Sequence, residues 1–443
     1  MERMKSVMAP FSLAAVVLTV GLVPSAATAQ CTPGWLAGGA NSNMNGLIRG
    51  LHTWDPDGDG PQPVQLVAVG DFFGANSAGT ASANRIAAWD GENWSAFGDG
   101  IDAGVYSVTS LSATNNLYVA GAGFTMAGGV SARRIAQWDG SAWSGLGTGE
   151  GNTPPLALLS VTAMNADTIV IVGAFTGVAD VPANRIAAWN ESLGWHALGD
   201  GMSSTTACTT VMPNGDLIAG GAALTTGGKK PVTLNRIGRW DGSQWHPLAD
   251  GLSGLVRCLL VTPNGDLIVG GAFTHAGDVE VNRIARWDGA EWHPLGAGMD
   301  ADVYALAVAP DGTLIATGDF LNAGGNEVNR IATWDGTEWS SLGAGRSDGG
   351  RALAVLPNGE LAVGGNFLMA GDQPSAYFAR YVLPCGGDDC RADFNSDDAV
   401  NSQDFFDFVT AFFALTPNAD FNTDGEVNSQ DFFDFLTAFF AGC

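Results

Sequence analysis

Oxygen-bearing side chains recur twice near the C-terminus at a spacing that suits a metal ion. The ligand positions hold Asp393, Asn395, Asp397, Ala399, Asn401 and Asp404 in the first copy, and Asp420, Asn422, Asp424, Glu426, Asn428 and Asp431 in the second. Each copy fits a twelve-residue loop in which positions 1, 3, 5, 9 and 12 offer side-chain oxygens and position 7 offers a backbone carbonyl. Hard oxygen donors in this pattern favour calcium, so the sequence predicts two calcium ions as cofactors.

The two loops differ at the position where the chain must turn sharply. The second loop has Gly425 there, as the calcium pattern requires, whereas the first has Asp398. Asp tolerates left-handed backbone better than most residues, so we expect the first loop to bind calcium as well. Each loop runs into a phenylalanine-rich segment, Phe405–Phe413 and Phe432–Phe440, which predicts a helix. We expect most of these phenylalanines to pack the two helices together and the rest to form an exposed apolar patch that suits a partner.

A calcium loop followed by a helix, twice, without the leading helix of a full EF-hand, resembles type I dockerins. More narrowly, the segment resembles the GC-type dockerin-like C-terminal modules, since the chain ends in Ala441-Gly442-Cys443. The position-12 ligands Asp404 and Asp431 are shorter than the glutamate of an EF-hand, which is normal for dockerins. The resemblance implies calcium-dependent attachment to a cohesin-like receptor or a cell-surface anchoring protein.

A longer repeat fills the chain before this module. Its most regular element is Asn-Arg-Ile, and successive copies are 47 to 51 residues apart. The copies begin at Asn84, Asn184, Asn235, Asn282 and Asn329, with variants at Arg133-Arg134-Ile135 and Ala379-Arg380-Tyr381. A period of this length suits four short antiparallel strands, so the seven copies predict an all-β, seven-bladed β-propeller. Because the element recurs in nearly every copy, we expect it to make hydrogen bonds between blades rather than to bind a ligand.

Turn signals place the strands within each repeat. Asp-Gly dipeptides, such as Asp288-Gly289, are favoured in hairpin turns because both residues can take positive φ. Each Trp-Asp-Gly-x-x-Trp run therefore closes the hairpin between the two outer strands of a blade, with its tryptophans packed between blades. This texture resembles Kelch-type propellers over residues 31 to 385, and such a resemblance specifies a fold rather than a function.

The seventh repeat stops before its outermost strand, and the N-terminus supplies a replacement. A segment that begins at Trp35 has the pattern of an orphan outer strand, so we expect it to close the last blade. Cys31 and Cys385 both map to the hairpin-turn position of that blade, and a disulfide between them would lock the ring. Closing so long a loop would contribute about 4 to 5 kcal/mol by the chain-entropy model.

Two further cysteine pairs complete the count of six. Cys390 and Cys443 bracket the C-terminal module, so a disulfide there would hold its ends together. Cys208 and Cys258 lie at equivalent positions in adjacent blades, and a bridge between them is left open because equivalent strands can lie too far apart. Six cysteines in an exported protein fit an oxidising compartment.

The N-terminus predicts export. Arg3 and Lys5 precede an apolar run, and Ala27-Thr28-Ala29 offers the small residues that a signal peptidase needs, so residues 1 to 29 are predicted to be a signal peptide. We therefore expect a propeller over 30–385, a linker over 386–389 and the calcium module over 390–443. No later segment is apolar enough to span a membrane. The protein is expected to be secreted, extracellular or attached to the cell surface.

Charge and composition limit the functions that remain. A net charge of −26 disfavours nucleic acid as a partner. No His, Ser or Cys stands in a known catalytic motif, so the sequence predicts a binding or scaffold protein rather than an enzyme. The alternative is a polysaccharide-degrading enzyme, a glycoside hydrolase or lyase, with a carboxylate pair assembled across blades at the channel mouth. Polysaccharide is accordingly a candidate ligand.

Two smaller clusters are weighed against plainer explanations. The acidic run from Asp55 to Gly60 offers alternating carboxylates that could grip another calcium ion, but an acidic turn explains it as well. His196, His246 and His293 each follow the second tryptophan of a blade. Equivalent outer-strand positions in three blades should diverge, so we expect no shared metal among these histidines.

Overall fold

The computed structural model describes two separate compact units of the chain. The described residues are 33–36, 43–58, 60–75, 81–146, 157–223, 225–383, 394–395, 402–414, 416, 419–421 and 427–441. One unit spans Cys31–Asp389, and the C-terminal residues Cys390–Cys443 belong to the other. Within the described residues, no helix is both long and apolar enough to cross a membrane. The predicted signal peptide lies outside the described residues.

The larger unit is a seven-bladed propeller of four-stranded antiparallel sheets, which confirms the predicted all-β fold. The first strands are Ile48–Trp54, Val105–Ser110, Ala157–Ala163, Thr206–Val211, Val256–Val261, Val303–Val308 and Gly350–Val355. The second strands are Gln65–Gly70, Leu117–Gly121, Ile169–Ala174, Leu217–Gly221, Leu267–Gly271, Leu314–Gly318 and Leu361–Gly365. The third strands are Ile86–Trp89, Ile135–Trp138, Ile186–Asn190, Ile237–Trp240, Ile284–Trp287, Ile331–Trp334 and Phe378–Val382. The fourth strands are Trp94–Ala96, Trp143–Gly145, Gly194–Ala197, Trp245–Pro247, Trp292–Pro294, Trp339–Ser341 and, in the seventh blade, Gly34–Trp35.

Blades are numbered here by the order of their first strands. Each first strand contacts the first strands of both neighbouring blades, and that of blade 7 contacts that of blade 1. The N-terminal strand closes blade 7 as predicted, with Gly34 opposite Val382 and Trp35 opposite Tyr381. Cys31 and Cys385, the proposed covalent lock, lie outside the described residues.

A short hairpin joins the second strand to the third in six blades. These two-residue strands are Gly74–Ala75 with Ala81–Ser82, Met126–Ala127 with Val130–Ser131, Gly177–Val178 with Val181–Pro182, His275–Ala276 with Val279–Glu280, Asn322–Ala323 with Asn326–Glu327, and Met369–Ala370 with Gln373–Pro374. In blade 4 a single bridge between Thr225 and Thr233 takes this place. Each hairpin lies beside the connector that enters its own blade. In blade 2, for example, Ile101 precedes the first strand and bridges to Ala127 of the hairpin.

The apolar core lies between blades rather than within a single sheet. Each blade has neighbours on both faces, so its second strand is apolar along its whole length, as in Ile169–Ala174. The outer hairpins form as predicted, with Trp89 opposite Trp94 in register. The second tryptophan of a hairpin also reaches the preceding blade: the indole of Trp143 donates to the carbonyl of Phe97 at 3.0 Å. The predicted packing of tryptophans between blades is therefore confirmed.

In blades 1, 3, 4, 5 and 6 the Asn-Arg-Ile element is hydrogen-bonded to the connector that leads to the next blade. In blade 1, Asn84 donates to the carbonyl of Asp99 at 2.9 Å, and Arg85 donates to that of Ile101 at 2.8 Å. The arginine holds positive φ, 65° at Arg85 and 73° at Arg330, which turns its side chain back towards the connector. The same two contacts recur at Asn235 and Arg236 in blade 4. The predicted hydrogen bonding between successive blades is confirmed for these copies. The predicted seventh copy, Ala379-Arg380-Tyr381, is wrong by three residues: Tyr377 has the positive φ, Phe378 takes the isoleucine position and Tyr381 the tryptophan position.

The described part of the C-terminal unit contains two helices, α1 over Ser402–Phe413 and α2 over Ser429–Ala441. Phe408 and Phe435 are fully buried and stack face to face with ring centroids 3.9 Å apart. Phe406 and Phe433, which occupy equivalent positions in the two copies, are each 60% exposed. The prediction that phenylalanines pack the helices together and leave a few exposed is thus confirmed for the described side chains.

The bridge considered between Cys208 and Cys258 is not formed, since both are free thiols. The thiol of Cys208 donates to the carbonyl of Gly220, and that of Cys258 to the carbonyl of Val303 in the next blade, each at 3.9 Å. Burial raises the pKa of Cys258 to about 12 and also raises that of Cys208. Each cysteine is therefore an uncharged thiol that is hydrogen-bonded to a backbone carbonyl.

Candidate functional site

Every first strand carries a β-bulge close to its N-terminal end. The residues that the bulges leave without a register partner are Arg49, Tyr106, Leu159, Ala207, Arg257, Tyr304 and Arg351. All seven line one cavity of about 490 Å³ at the end of the channel where the first strands begin. A bulge re-aims the side chain of its extra residue, which explains why this position faces the cavity in every blade. This ring of seven residues is called the mouth.

Three arginines of the mouth are paired with carboxylates. Arg49 lies 2.6 Å from Asp71, and Arg257 lies 2.7 Å from Asp302. A longer contact of 3.9 Å joins the next pair, Arg351 and Asp319. The three arginine side chains remain 35 to 36% exposed, so each keeps guanidinium donors directed at solvent.

Two tyrosines of the mouth contact these arginines and form two groups with them. The guanidinium of Arg49 lies 4.5 Å from the ring centre of Tyr106. Arg257 and Arg351 lie 5.0 and 3.8 Å from that of Tyr304, which therefore joins blades 5, 6 and 7. The hydroxyl of Tyr304 donates to Asp319 at 2.6 Å. Burial, followed by this hydrogen bond, raises the pKa of Tyr304, so its hydroxyl remains protonated at neutral pH.

The mouth is asymmetric around the ring. Blades 5, 6, 7, 1 and 2 supply the arginines and tyrosines, whereas blades 3 and 4 supply Leu159 and Ala207. The remaining lining beside blades 3 and 4 is small or aliphatic, including Thr205 and Leu255. The cavity thus has a wall of guanidinium and phenol groups on one side and an apolar wall on the other. A few directed polar groups in an otherwise apolar concavity are what small-ligand sites share.

The side chains of the mouth offer directed hydrogen-bond donors to oxygen acceptors. Arginine forks match carboxylate and vicinal oxygen acceptors in two-point contacts. The described lining of the cavity contains no histidine, cysteine or serine. The nearby carboxylates Asp71, Asp302 and Asp319 are all occupied by arginine or tyrosine of the mouth.

None of these mouth residues was predicted from the sequence. The signal that could have found them is variation within the repeat: the residue before the bulge is aliphatic in most blades, whereas the bulged position changes in charge and size. Val105, Val256 and Val303 precede Tyr106, Arg257 and Tyr304, for example. A position that varies inside an otherwise constant strand is released from packing and free to serve recognition.

The described part of the predicted calcium ligands comprises Asn395, Asp404, Asp420, Asn428 and Asp431. Asp404 and Asp431, at position 12 of the two loops, are fully buried. Each carboxylate faces back into its own loop, where Asn395 and Asn428 donate their backbone N–H groups at 3.1 and 2.8 Å. Two buried carboxylates at equivalent places fit a hard cation. The other predicted ligands lie outside the described residues: Asp393, Asp397, Ala399, Asn401, Asn422, Asp424 and Glu426.

The smaller clusters have local partners. His246 and His293 lie on the fourth strands of different blades, and each contacts the aspartate of its own hairpin, Asp241 or Asp288, at 2.6 Å. Glu291 lies close enough to Asp288 and His293 for one ion to reach all three, at an exposed hairpin. In the acidic run of blade 1, Asp55 accepts a hydrogen bond from the backbone of Asp57 at 3.2 Å, as in a turn.

Fold and mouth together define a β-propeller with an asymmetric cavity at one end of its channel. Residues 262–287 and 309–332 match the family described as "Domain of unknown function (DUF5122) beta-propeller". These segments cover less than half of the chain. No curated protein matches the sequence.

Similar solved structures share the fold at low identity. The chain is 11% identical to the extracellular domain of a protein described as a hybrid two-component system from B. thetaiotaomicron, with a TM-score of 0.49. The match covers 77% of this chain and 40% of that one. It is 13% identical to the WD40 β-propeller domain of Doa1, with a TM-score of 0.48, over 79% of this chain and 96% of that one. The extracellular domain of a one-component system from B. thetaiotaomicron gives 10% identity, a TM-score of 0.48, and coverage of 77% and 39%.

Proposed function

We propose that this protein is an exported binding protein, not an enzyme, that captures a ligand in the mouth of its propeller. The observation that carries this proposal is that seven equivalent bulged residues line one cavity yet differ in chemistry around the ring. If these positions served only the architecture of the repeat, we would expect similar residues in all seven blades. Instead, arginine and tyrosine lie on one side and leucine and alanine on the other. Export is supported by the signal-peptide pattern of residues 1 to 29.

The ligand that fits the mouth is rich in oxygen acceptors, and a polysaccharide is the leading class. Arg257 and Arg351 offer planar donor forks to hydroxyl or carboxylate groups, while Leu159 offers a surface for the apolar face of a sugar. The cavity volume of about 490 Å³ lies within the ~300–1,000 Å³ of ordinary ligand sites.

The test uses the full chain and a panel of neutral and acidic polysaccharides, and it records both retained protein and released sugar. Retention without release is expected. The double variant Arg257→Ala/Arg351→Ala should weaken retention by the acidic polysaccharides about tenfold or more, the scale of interface hot spots. Arg286→Ala is the matched control, because Arg286 pairs with Asp266 at 2.7 Å in blade 5 and does not line the mouth.

Other outcomes would overturn this proposal in distinct ways. Retention by acidic polysaccharides that survives the double variant would place their binding site elsewhere on the protein. Released sugar would favour the alternative, a glycoside hydrolase or lyase. An absence of both would exclude polysaccharide as the ligand.

We also propose that the C-terminal unit is a dockerin-like module that binds two calcium ions and attaches the protein to a cohesin-like or cell-surface anchoring protein. The buried pair Asp404 and Asp431 supports the calcium sites, and the exposed pair Phe406 and Phe433 supports a partner surface. Bound calcium would supply the positive charge that holds each loop closed around its carboxylates.

Calcium addition to the chelated full chain should stabilise this unit alone. Calcium at about one hundred times its dissociation constant stabilises a site by about 2.7 kcal/mol, which calorimetry would show as a shift of one of two unfolding transitions. Asp404→Ala and Asp431→Ala should remove the shift, whereas Asp434→Ala, on the outer part of α2, should leave it intact. A chain whose transitions ignore calcium would refute the module's assignment.

A further inference from the structure

A second cavity of about 590 Å³ opens between blades 2 and 3, away from the mouth. Its floor is aromatic and combines Tyr118 of blade 2 with Trp189 and Trp195 of blade 3. The rings of Tyr118 and Trp189 lie 5.9 Å apart, and those of Trp189 and Trp195 lie 6.5 Å apart. This cavity is called the groove.

The groove exists where the repeat is broken at its floor. Tyr118 pairs with Gln137 in the register of blade 2. The equivalent residues of the other blades are aliphatic: Val67, Val170, Ile218, Ile268, Ile315 and Ala362. A phenol ring replaces a branched chain only here, and its hydroxyl interacts with Asn116 and Thr114 at the rim.

A second difference concerns two rim positions, which are uncharged in blades 1, 2, 3 and 6 and hold an ion pair in blades 4, 5 and 7. In blades 5 and 7 the positions of Asn116 and Gln137 hold an ion pair, Asp266 with Arg286 at 2.7 Å and Glu360 with Arg380 at 2.9 Å, and blade 4 has a like pair. In blade 2 the same two positions are the uncharged amides Asn116 and Gln137, and both line the groove. Among the seven blades only blade 2 has two amides at these positions, and amides can donate and accept hydrogen bonds towards a ligand.

A third departure lies in the outer hairpin of blade 3, which is one residue longer than its counterparts. Trp189 and Trp195 are opposite each other across the sequence Asn190-Glu191-Ser192-Leu193-Gly194, whereas Trp138 and Trp143 enclose four residues. The longer hairpin brings Asn190 and Glu191 to the groove. No lysine or arginine is among its described lining residues.

From these three departures we infer that the groove binds a neutral sugar chain. Trp189 is the partly exposed ring and matches the apolar face of a sugar ring, while Tyr118 and Trp195 are buried beside it. The side-chain amides together with Asp167 and Glu191 match hydroxyl groups. The absence of cationic groups from the described lining and the presence of two acids disfavour uronic acids and other anions. The groove is independent of the mouth, since no residue is shared between the two linings.

The test is affinity electrophoresis of the full chain in gels that contain a neutral polysaccharide, with glucan, xylan and galactomannan tried in parallel with polygalacturonate and chitosan. The groove variant is Tyr118→Ile/Asn116→Asp/Gln137→Arg, which installs the residues that blade 5 carries at these positions. At least one neutral polysaccharide should retard the wild type, and the variant should bind it about tenfold or more weakly. Its melting temperature should remain close to that of the wild type, because blade 5 folds with the same three residues.

The mirror change in blade 5, Asp266→Asn/Arg286→Gln, is the matched control and should bind normally. Arg257→Ala/Arg351→Ala at the mouth should also leave retardation in the neutral gel intact, which separates this inference from the proposed function. The inference is overturned if no neutral polysaccharide retards the chain, if only polygalacturonate or chitosan does, or if the groove variant binds as the wild type does.

Discussion

The outer halves of the blades and the mouth are built from the same seven repeats but use them in opposite ways. In the outer halves, equivalent side chains contact equivalent carbonyls in four blades: Trp143, Trp195, Trp245 and Trp339 donate their indole N–H to the preceding blade at 2.7 to 3.0 Å. At the mouth, one position runs through arginine, tyrosine, leucine and alanine. Repeated residues hold the ring together, and we propose that the residues released by the bulge recognise a ligand.

The largest effect expected from this contrast is a loss of stability in the outer halves of the blades. Trp339 is 1% exposed and donates to the carbonyl of Leu295 at 2.8 Å. Trp339→Ala should lower the free energy of unfolding by about 3–5 kcal/mol, because it leaves a large cavity between blades 5 and 6. Ser341→Ala on the same strand is exposed and should cost almost nothing. Urea unfolding followed by circular dichroism measures both, and comparable losses in the two variants would contradict this account.

The outer halves of the blades are also the part of the structure that the sequence predicts well. A tryptophan, a turn dipeptide or an Asn-Arg step specifies its own local geometry, so the number of blades, the outer hairpins and the closing strand at Trp35 follow from spacing alone. The mouth does not, because Arg257 and Tyr304 meet only after two blades pack and a bulge turns both side chains inward. The groove is similarly invisible until Tyr118 is compared with its six aliphatic equivalents.

A second prediction concerns the first strand of blade 1. Burial lowers the pKa of His52 from 6.5 to about 4, and its Nε2 lies 2.9 Å from Ser110 Oγ in blade 2. Because the folded pKa is below the unfolded value, the unfolded chain takes up the proton first as the pH falls. The stability is therefore fully present above pH 6.5 and is lost between pH 6.5 and 4, by up to about 3 kcal/mol.

His52→Gln keeps a hydrogen-bonding group but cannot titrate, so the slope of unfolding free energy against pH in this window should flatten. His275→Gln, at an exposed hairpin, is the control and should keep the wild-type slope. Equal slopes in His52→Gln and wild type would show that this histidine is not the titrating group.

The last and smallest effect is expected at a connector position where one blade interface has a residue unlike those of the others. The connector residue that bridges to the next blade is Ile101, Met202, Leu252 or Met299 elsewhere, but it is Arg346 between blades 6 and 7. Arg346 is 4% exposed, and burial lowers its pKa to about 9. It donates to Thr317 and to the carbonyl of Arg330, while its Nε and Nη1 have no hydrogen-bond partner among the described residues.

A buried, incompletely paired charge usually costs more than an apolar side chain of similar volume. Arg346→Met should therefore raise the free energy of unfolding, by about 1–2 kcal/mol, even though two hydrogen bonds are lost. Gly350→Val in the wild type should do the opposite, because a Cβ there would lie 2.3 Å from Arg346 Nη1 and 2.4 Å from Thr317 Oγ1.

The neighbouring interface shows how this arrangement can be restored. Between blades 5 and 6, Gly270 makes room for Val303, whereas between blades 6 and 7 the larger Thr317 faces Gly350. The triple variant Arg346→Met/Thr317→Gly/Gly350→Val reproduces the regular interface and should be at least as stable as Arg346→Met alone. Chemical unfolding of the four proteins measures this non-additivity. If Arg346→Met is destabilising, Arg346 is a structural anchor, and the division between repeated positions that stabilise and irregular positions that recognise fails at this interface.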